Sequence, residues 1–420
     1  MQKLPIYFVV ALVIGGLIGY GIAGMMPAPE PKPPYEIRTI GALLPLTGAL
    51  GTYGENSKET ALLAVRDVNY YLEKEGRPWR LKLEIEDTAT HGPTALEKMT
   101  TWFGAGVKFF VGPLSSGECK ELLTYSDANK ILYVSPSSTS PALSIPGDWL
   151  FRFPPDDFIQ GPGIARLMWD AGVRQVIFTW RGDTWGDGLQ KATSAAFGKL
   201  GGKEYEKVLR YDPGLEDFPK EAALLNDYVK ALVDRGVPKG QIGICAITFE
   251  EIAPYMEDAS MYPLLKEIKW IGSDGSALSE ALKTHPVGVS FAALTKYNNT
   301  LFAAGASKYS LFDYVRGHVY EMLKRETDVY SYNTYDMIWV LALAIDEVGY
   351  DTTKVREILP RVTDDRTKLF GASGHVTLNE NGDRAFADYD LWLINEKLEW
   401  EKVGVYRAAT DTIDWIRKVY

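Results

Sequence analysis

The chain has 420 residues, 46% of them hydrophobic and 24% charged, with a formal net charge of -10. That length supports two or three domain-sized cores. The acidic balance, with no Lys/Arg-rich block, argues against nucleic acid or anionic lipid as the main partner, because both require a basic footprint.

The first element is an uncharged stretch from Leu4 to Met26, preceded by Lys3 and long enough to cross a bilayer at about 1.5 Å per residue. Residues 1–26 read as a signal anchor with the positive end inside, and 27–35, which include Pro27, Pro29, Pro31, Pro33 and Pro34, as a stiff linker. Everything after Tyr35 is then extracytoplasmic. A cleaved signal peptide is the rival, since Gly24 and Ala28 supply small residues nearby. No cysteine follows the apolar run, so a lipoprotein is not expected. Gly19, Gly21 and Gly24 spell GxGxxG, but they sit inside the apolar span, without the preceding strand and distal acid that dinucleotide binding requires.

From Glu36 the text alternates strand and helix. Ile37 to Leu46 is an apolar run, and Ala61, Val65, Val68 and Leu72 recur at helical spacing. Leu81, Leu83 and Ile85 alternate with charged residues as in a half-buried strand. A helix over about 94–103 leads to the strand Lys108–Gly112, and one over about 118–129 to the strand Ile131–Ser135. A second series has strands at Val176–Thr179, Tyr205–Leu209, Ile242–Ile247 and Trp270–Gly272, separated by helices near 184–200, 218–235 and 255–268. Helices return near 311–325 and 332–348, and two late strands fall at Tyr389–Ile394 and Glu401–Tyr406. Repeated βα units imply parallel sheets covered on both faces, with ligands beyond the carboxyl ends of the strands. The class is α/β: two similar lobes, 36–155 with about 296–372 and 156–295 with about 373–420. Hinges are expected near 153–157, 291–298 and 374–388.

Chemistry-bearing patterns are sparse. His91, His285, His318 and His375 are scattered, and no HExxH, CxxC, GxSxG or GxxxxGK[ST] occurs, so no metal, no cofactor and no catalytic residue is expected. Cys119 and Cys245 read as two free, buried thiols. Asn298-Asn299-Thr300 is a formal glycosylation acceptor, a triplet frequent by chance.

Taken in order, Ile40-Gly41-Ala42-Leu43-Leu44-Pro45-Leu46-Thr47-Gly48, Tyr53-Gly54, Asp87, Val111-Gly112-Pro113, Ser135-Pro136-Ser137-Ser138-Thr139, Phe151-Arg152, Trp185-Gly186, Gly272-Ser273-Asp274-Gly275 and Tyr335-Asp336 resemble the branched-chain amino acid-binding proteins. These are type I periplasmic binding proteins of ABC uptake systems, and the resemblance runs from about Ile37 to the C-terminus. It implies a two-lobed type I fold, each lobe a mostly parallel sheet flanked by helices, that closes on an amino acid or related amide. It also implies a separate permease and ATPase as partners.

The resemblance assigns ligand-binding positions. Ser116 stands where a hydroxyl at a helix start holds the ligand carboxylate; the plain alternative is an N-cap serine. Ser137 would offer its carbonyl to the ammonium, and Thr139 its hydroxyl and N–H; otherwise they form a polar turn. Asp274 replaces the family's usual, longer acid facing the ammonium, or is a turn former. Trp185 and Phe249 would be aromatic walls, or simply core. A ligand-sensing receptor ectodomain of the same fold is the competing function, although only Met1 to Lys3 precede the span.

Overall fold

The computed structural model describes residues 35–305 and 309–420. The expected anchor, 1–26, and the linker up to residue 34 lie outside the described residues. Among the described residues no helix is long and apolar enough to cross a membrane.

The first sheet begins with β1 (Glu36–Leu44), whose Ile40, Ala42, Leu43 and Leu44 are all fully buried because helices cover both faces. β2 (Trp79–Asp87) pairs with it in parallel, Ile40 opposite Leu83, and as the edge strand it buries only Trp79 and Leu81. β3 (Phe109–Val111), β4 (Leu132–Ser135) and β5 (Leu150–Arg152) complete the all-parallel order β2-β1-β3-β4-β5. Helices α1 (Gly51–Lys74), α2 (Gly92–Gly104) and α3 (Ser116–Asn129) connect these strands. Gly112, which ends β3, has φ +85°, and a Cβ there would stand 2.0 Å from the Leu43 carbonyl oxygen. Only glycine fits that position.

The chain crosses over residues 153–156 into α4 (Asp157–Asp170) and the second sheet. There β6 (Gln175–Arg181), α5 (Thr184–Lys199), β7 (Lys203–Glu204), β8 (Leu209–Tyr211), α6 (Pro219–Asp234), β9 (Ile242–Ile247), α7 (Ile252–Ala259) and β10 (Lys269–Ile271) repeat the βα scheme. The single strand expected over Tyr205–Leu209 is thus two short ones, both beside β6. After α8 (Glu280–Thr284) and α9 (Pro286–Thr295), β11 (Asn298–Phe302) enters the sheet parallel to β10.

Two expectations are corrected here. Residues 291–298 are no irregular hinge: Val289, Phe291 and Ala292 form the buried face of α9. β11 lies between β10 and antiparallel β12, in the second lobe rather than the first. Its polar text concealed a central strand, because Asn299 and Thr300 spend their polarity on buried bonds from Ser276 (3.0 Å) and Gln160 (3.0 Å). Asn298 is fully buried, so the glycosylation triplet is closed to modification in the folded chain.

The chain then returns to the first sheet with α10 (Phe312–Leu323), α11 (Val329–Val348) and α12 (Thr352–Phe370), the last not foreseen in the sequence. α11 packs against α1 and α12. Residues 371–388 make the third crossing, and β12 (Tyr389–Ile394), β13 (Trp400–Arg407) and β14 (Thr412–Trp415) finish the second sheet as an antiparallel edge. The third crossing adheres to the first lobe, not the second as its boundary at about 373 implied. Arg152 N–H donates to the Gly382 carbonyl at 2.9 Å, and Arg384 N–H to that of Arg152 at 2.9 Å. One hydrophobic core runs from the first sheet into the second through Phe153, Ile164 and Trp185, with separate clusters on the outer faces. Cys119 and Cys245 are free and buried, as expected.

A buried ion pair fixes the crossings. Arg152 Nε and Nη2 donate to Asp383 at 2.5 and 2.7 Å, and Nη1 to the Ser140 carbonyl at 2.8 Å. Both side chains are only 1% exposed. Asp383→Ala strands the guanidinium in the interior, and urea melts should record a loss of about 3–5 kcal/mol.

Candidate functional site

The strand ends of both sheets meet in one cleft, as expected of open α/β sheets. From the first lobe come Leu50 and Tyr53 at the start of α1, Leu114, Ser115 and Ser116 at the start of α3, Ser137 after β4, and Tyr330 at the start of α11. The second lobe supplies Trp185 on α5, Phe249 after β9, and Asp274 and Gly275 after β10. Five of the six residues singled out in the sequence (Ser116, Ser137, Trp185, Phe249 and Asp274) therefore line one space. Thr139 sits just behind it, 2% exposed.

The local chemistry separates the functional from the bland alternatives. The N-cap of α3 is Ser115, not Ser116: its Oγ accepts the Glu118 N–H at 3.2 Å, while its own N–H and O–H donate to Glu118 Oε2 at 3.1 and 2.6 Å. This is a complete capping box. Ser116 is freed from capping. Its Oγ accepts the N–H groups of Thr139 (3.2 Å) and Ser140 (3.1 Å), leaving its own proton to donate at a helix N-terminus. The Thr139 N–H is thereby used internally, and its hydroxyl is buried with no partner.

Asp274 does not cap its turn. Its Oδ1 accepts Gln160 Nε2 at 2.8 Å, and its Oδ2 accepts the Tyr330 hydroxyl from the other lobe. Near it lies Asp157, fully buried at the first position of α4, with both carboxylate oxygens lacking hydrogen-bond partners. Thr139 faces this carboxyl without completing a bond. Burial pushes the Asp157 carboxyl well above the usual range, and the neighbouring Asp274 adds to the shift. Burial raises Asp274 too, against bonds from Tyr330 and Gln160 that pull it down. The guanidinium that acts on Asp157, Arg152, is itself committed to Asp383.

Sequence reasoning missed Asp157, Gln160, Tyr53 and Tyr330. Asp157 and Gln160 stand three apart on one helix, a spacing that puts them on one face, and the Pro-Pro-Asp-Asp text ahead of them looked only like a turn. The pair Tyr335-Asp336 is structural. The Asp336 carboxylate accepts the Ala372 and Ser373 N–H groups at 2.9 and 2.8 Å and pins the third crossing.

The lobes are in contact around the cleft. Thr52, in the first turn of α1, donates its N–H (3.0 Å) and hydroxyl (2.5 Å) to Glu250 of the second lobe. The N-cap residue of α1, Leu50, provides no side-chain cap, so Glu250 serves that end from across the cleft. Tyr53 donates to the Ala277 carbonyl at 2.7 Å, and Ser140 to the Thr184 carbonyl at 2.8 Å. A Cβ at Gly188 would stand 2.9 Å from Ser140 Oγ and 3.1 Å from Pro141 Cδ, so the close approach depends on that glycine. Among the described residues no cluster of His, Cys, Asp and Glu is arranged to hold a metal ion.

Two α/β lobes joined by three crossings and meeting at their strand ends define the type I periplasmic-binding fold, the class of two-lobed proteins that enclose a solute. The family model for the receptor family ligand binding region matches residues 56–397, and the chain belongs to that family. An uncharacterized protein of Methanocaldococcus jannaschii, MJ1266, is 31% identical over 398 residues, covering 90% of this chain and 91% of the relative. Leu/Ile/Val-binding protein homolog 3 of Brucella melitensis is 24% identical over 367 residues, covering 85% and 91%. Among solved structures, the leucine-binding protein LivK of Thermotoga maritima superposes with a TM-score of 0.73 at 20% identity, covering 88% of this chain and 98% of that one. A solute-binding protein of R. palustris in complex with benzoate gives 0.70 at 15%, covering 90% and 97%. At these identities the superpositions establish the shared fold.

Glu250→Ala removes bonds to a charged group worth about 1.5–3 kcal/mol, and Gly188→Ala inserts a wedge on the opposite flank. Both variants should populate a more open molecule with a larger radius of gyration by small-angle scattering. The urea midpoint should move much less than in Asp383→Ala.

Proposed function

We propose that this protein is the extracytoplasmic solute-binding component of an ABC uptake system, and that it captures an amino acid by closing its two lobes. The observation that carries this reading is the charge pattern of the cleft. Two neighbouring buried carboxyls, Asp274 in the cleft lining and Asp157 behind it, lack a paired cation, and Asp274 shares that lining with Ser116, whose hydroxyl stands at a helix N-terminus. A zwitterion complements both ends at once. Its carboxylate fits the Ser116 hydroxyl and the positive end of α3. Its ammonium fits Asp274, Asp157, the Thr139 hydroxyl and the Ser137 carbonyl through charge-assisted hydrogen bonds. Leu50, Tyr53, Trp185, Phe249 and Tyr330 exclude water, which strengthens each polar contact.

On this reading the chain binds and releases its solute without transforming it. The closed form is what a membrane permease with its ATPase would recognise. The apolar N-terminal stretch, as an anchor or as a cleaved signal, would place the lobes outside the cell.

Two measurements test the site. Asp274→Ala and Thr139→Ala should each weaken amino-acid binding about 30-fold or more in calorimetry, since losing one partner of a buried charged pair costs about 2–5 kcal/mol. Their urea melts should change far less than their affinity. Normal affinity in both variants would remove the proposed site.

The second measurement is proton linkage. The free, closed cleft holds its acids with raised pKa, so they retain protons above the ordinary carboxylate value of about 3.9. An ammonium favours the ionised form, so binding should release protons, and affinity should rise as pH increases from that value through the raised range. Titrations in buffers of different ionisation enthalpy read this release directly. Proton uptake, or no exchange at acid pH, would contradict the carboxylate–ammonium assignment.

A further inference from the structure

The second lobe's wall over the cleft is a three-layer stack. Phe249 lies between Trp185, with ring centres 4.6 Å apart and planes 21° from parallel, and the Arg181 guanidinium, 4.1 Å from its ring centre. Arg181 cannot swing aside cheaply. Its Nε and Nη1 donate to Asp183 and Glu251, each at 2.6 Å, and Tyr211 also donates to Glu251 at 2.8 Å. Asp183 in turn caps the helix that carries Trp185, accepting the Trp185 and Gly186 N–H groups at 3.1 and 2.9 Å. The rings rest on the backbone beside Asp274. A Cβ at Gly275 would lie 2.6 Å from Trp185 Cη2 and 2.7 Å from Phe249 Cδ1.

Little space remains beneath this stack. The cavity open to the centre of a water molecule is about 10 Å³, and one water needs roughly 10–15 Å³ by that measure. Any ligand must therefore part the lobes somewhat, and each added side-chain carbon parts them further. That stretches the contacts that hold the lobes together: Thr52 to Glu250, Tyr53 to Ala277 and Ser140 to Thr184. The ring wall cannot absorb the extra bulk without disturbing the ion pairs of the buried Arg181 with Asp183 and Glu251.

We propose that the Arg181–Phe249–Trp185 stack limits ligand side-chain size, so that the site takes a short α-amino acid of the glycine, alanine or serine class in preference to leucine, isoleucine or valine. This rests on the zwitterion reading above and adds the identity of the side chain. Phe249 and Trp185 then act as specificity residues rather than as a generic apolar lining.

Calorimetric titration of the full-length protein with glycine, alanine, serine, valine, leucine and isoleucine is the test. At least one of the short three should bind about tenfold or more tightly than any of the branched three. Phe249→Ala should narrow or invert that ratio by opening the wall. Phe249→Leu, which is smaller and no longer stacks between Trp185 and Arg181, should shift it in the same direction to a lesser extent and covers the case in which the alanine variant fails to fold. Leucine or isoleucine binding as tightly as alanine to the parent protein would overturn the size limit alone. So would an unchanged ratio in a folded Phe249 variant. Binding of none of the six would overturn the zwitterion reading and this inference with it.

Discussion

Two neighbouring buried acids without a paired cation, one of them lining the cleft, are the constraint on which the rest of this site depends. Burying a carboxylate is costly unless it is paired or protonated, and Asp157 and Asp274 are both buried. The surrounding contacts meet the demand only in part: Gln160 and Tyr330 serve Asp274, and Asp157 is left without a bond. A closed, ligand-free cleft therefore carries a deficit that protons or a positively charged guest can relieve. That makes closure conditional. Lobes lined with apolar residues alone would close on water-free space with little discrimination, whereas on the proposed reading these lobes would gain most when an ammonium arrives.

The same logic explains why the two lobes hold each other by polar bonds at the rim. Glu250 caps a helix that has no cap of its own, Tyr53 reaches the Ala277 carbonyl, and Ser140 reaches the Thr184 carbonyl. When the lobes part, water replaces each of these bonds at modest net cost. Arg152 and Asp383 lock the third crossing to the edge of the first sheet, so the proposed closure would be a hinge motion about the crossings. Hinge closure of this kind belongs to the repertoire of ligand-binding lobes.

Most of the first lobe was legible in the sequence because its strands are apolar runs bounded by glycine, proline and serine. Those signals are local, so they survive without knowledge of the partners. β11 was not legible. Asn298, Asn299 and Thr300 look like a surface loop until Gln160 and Ser276 are placed beside them, and that placement is a tertiary fact. α12 escaped notice for a related reason: it is rich in charge, carries Pro360, and half of the buried stripe it lays on α11 is threonine (Thr352, Thr363 and Thr367 beside Val355, Leu359 and Val362), so its inner face is only weakly apolar in text. In the site, the ordered motifs pointed to Ser116, Ser137 and Asp274, yet Ser115 rather than Ser116 proved to be the cap. Two adjacent serines look alike in text, and only Glu118, three residues beyond Ser115, marks which of them closes the capping box. Asp157 shows the limit most clearly. It follows an aspartate in a turn-rich stretch, and nothing in that text says that it is the one turned inward.

Fold likeness does not choose the ligand. The superposed proteins include one named for leucine and one holding benzoate, at similar TM-scores. Guests so different on one scaffold imply that the strand-end loops, not the sheets, decide what is bound. In this chain those loops and the helix starts that follow them contribute an aspartate at 274, a tryptophan at 185 and a phenylalanine at 249 pinned by an arginine. Asp274 has one methylene fewer than a glutamate, so it reaches less far into the cleft, and the cleft has to be narrower for the contact to form. If the guest is the proposed amino acid, a narrower cleft under a fixed aromatic roof would leave space for little beyond its backbone. On the proposed reading, the acid that would draw the ammonium in and the rings that would limit the side chain are two consequences of one geometry.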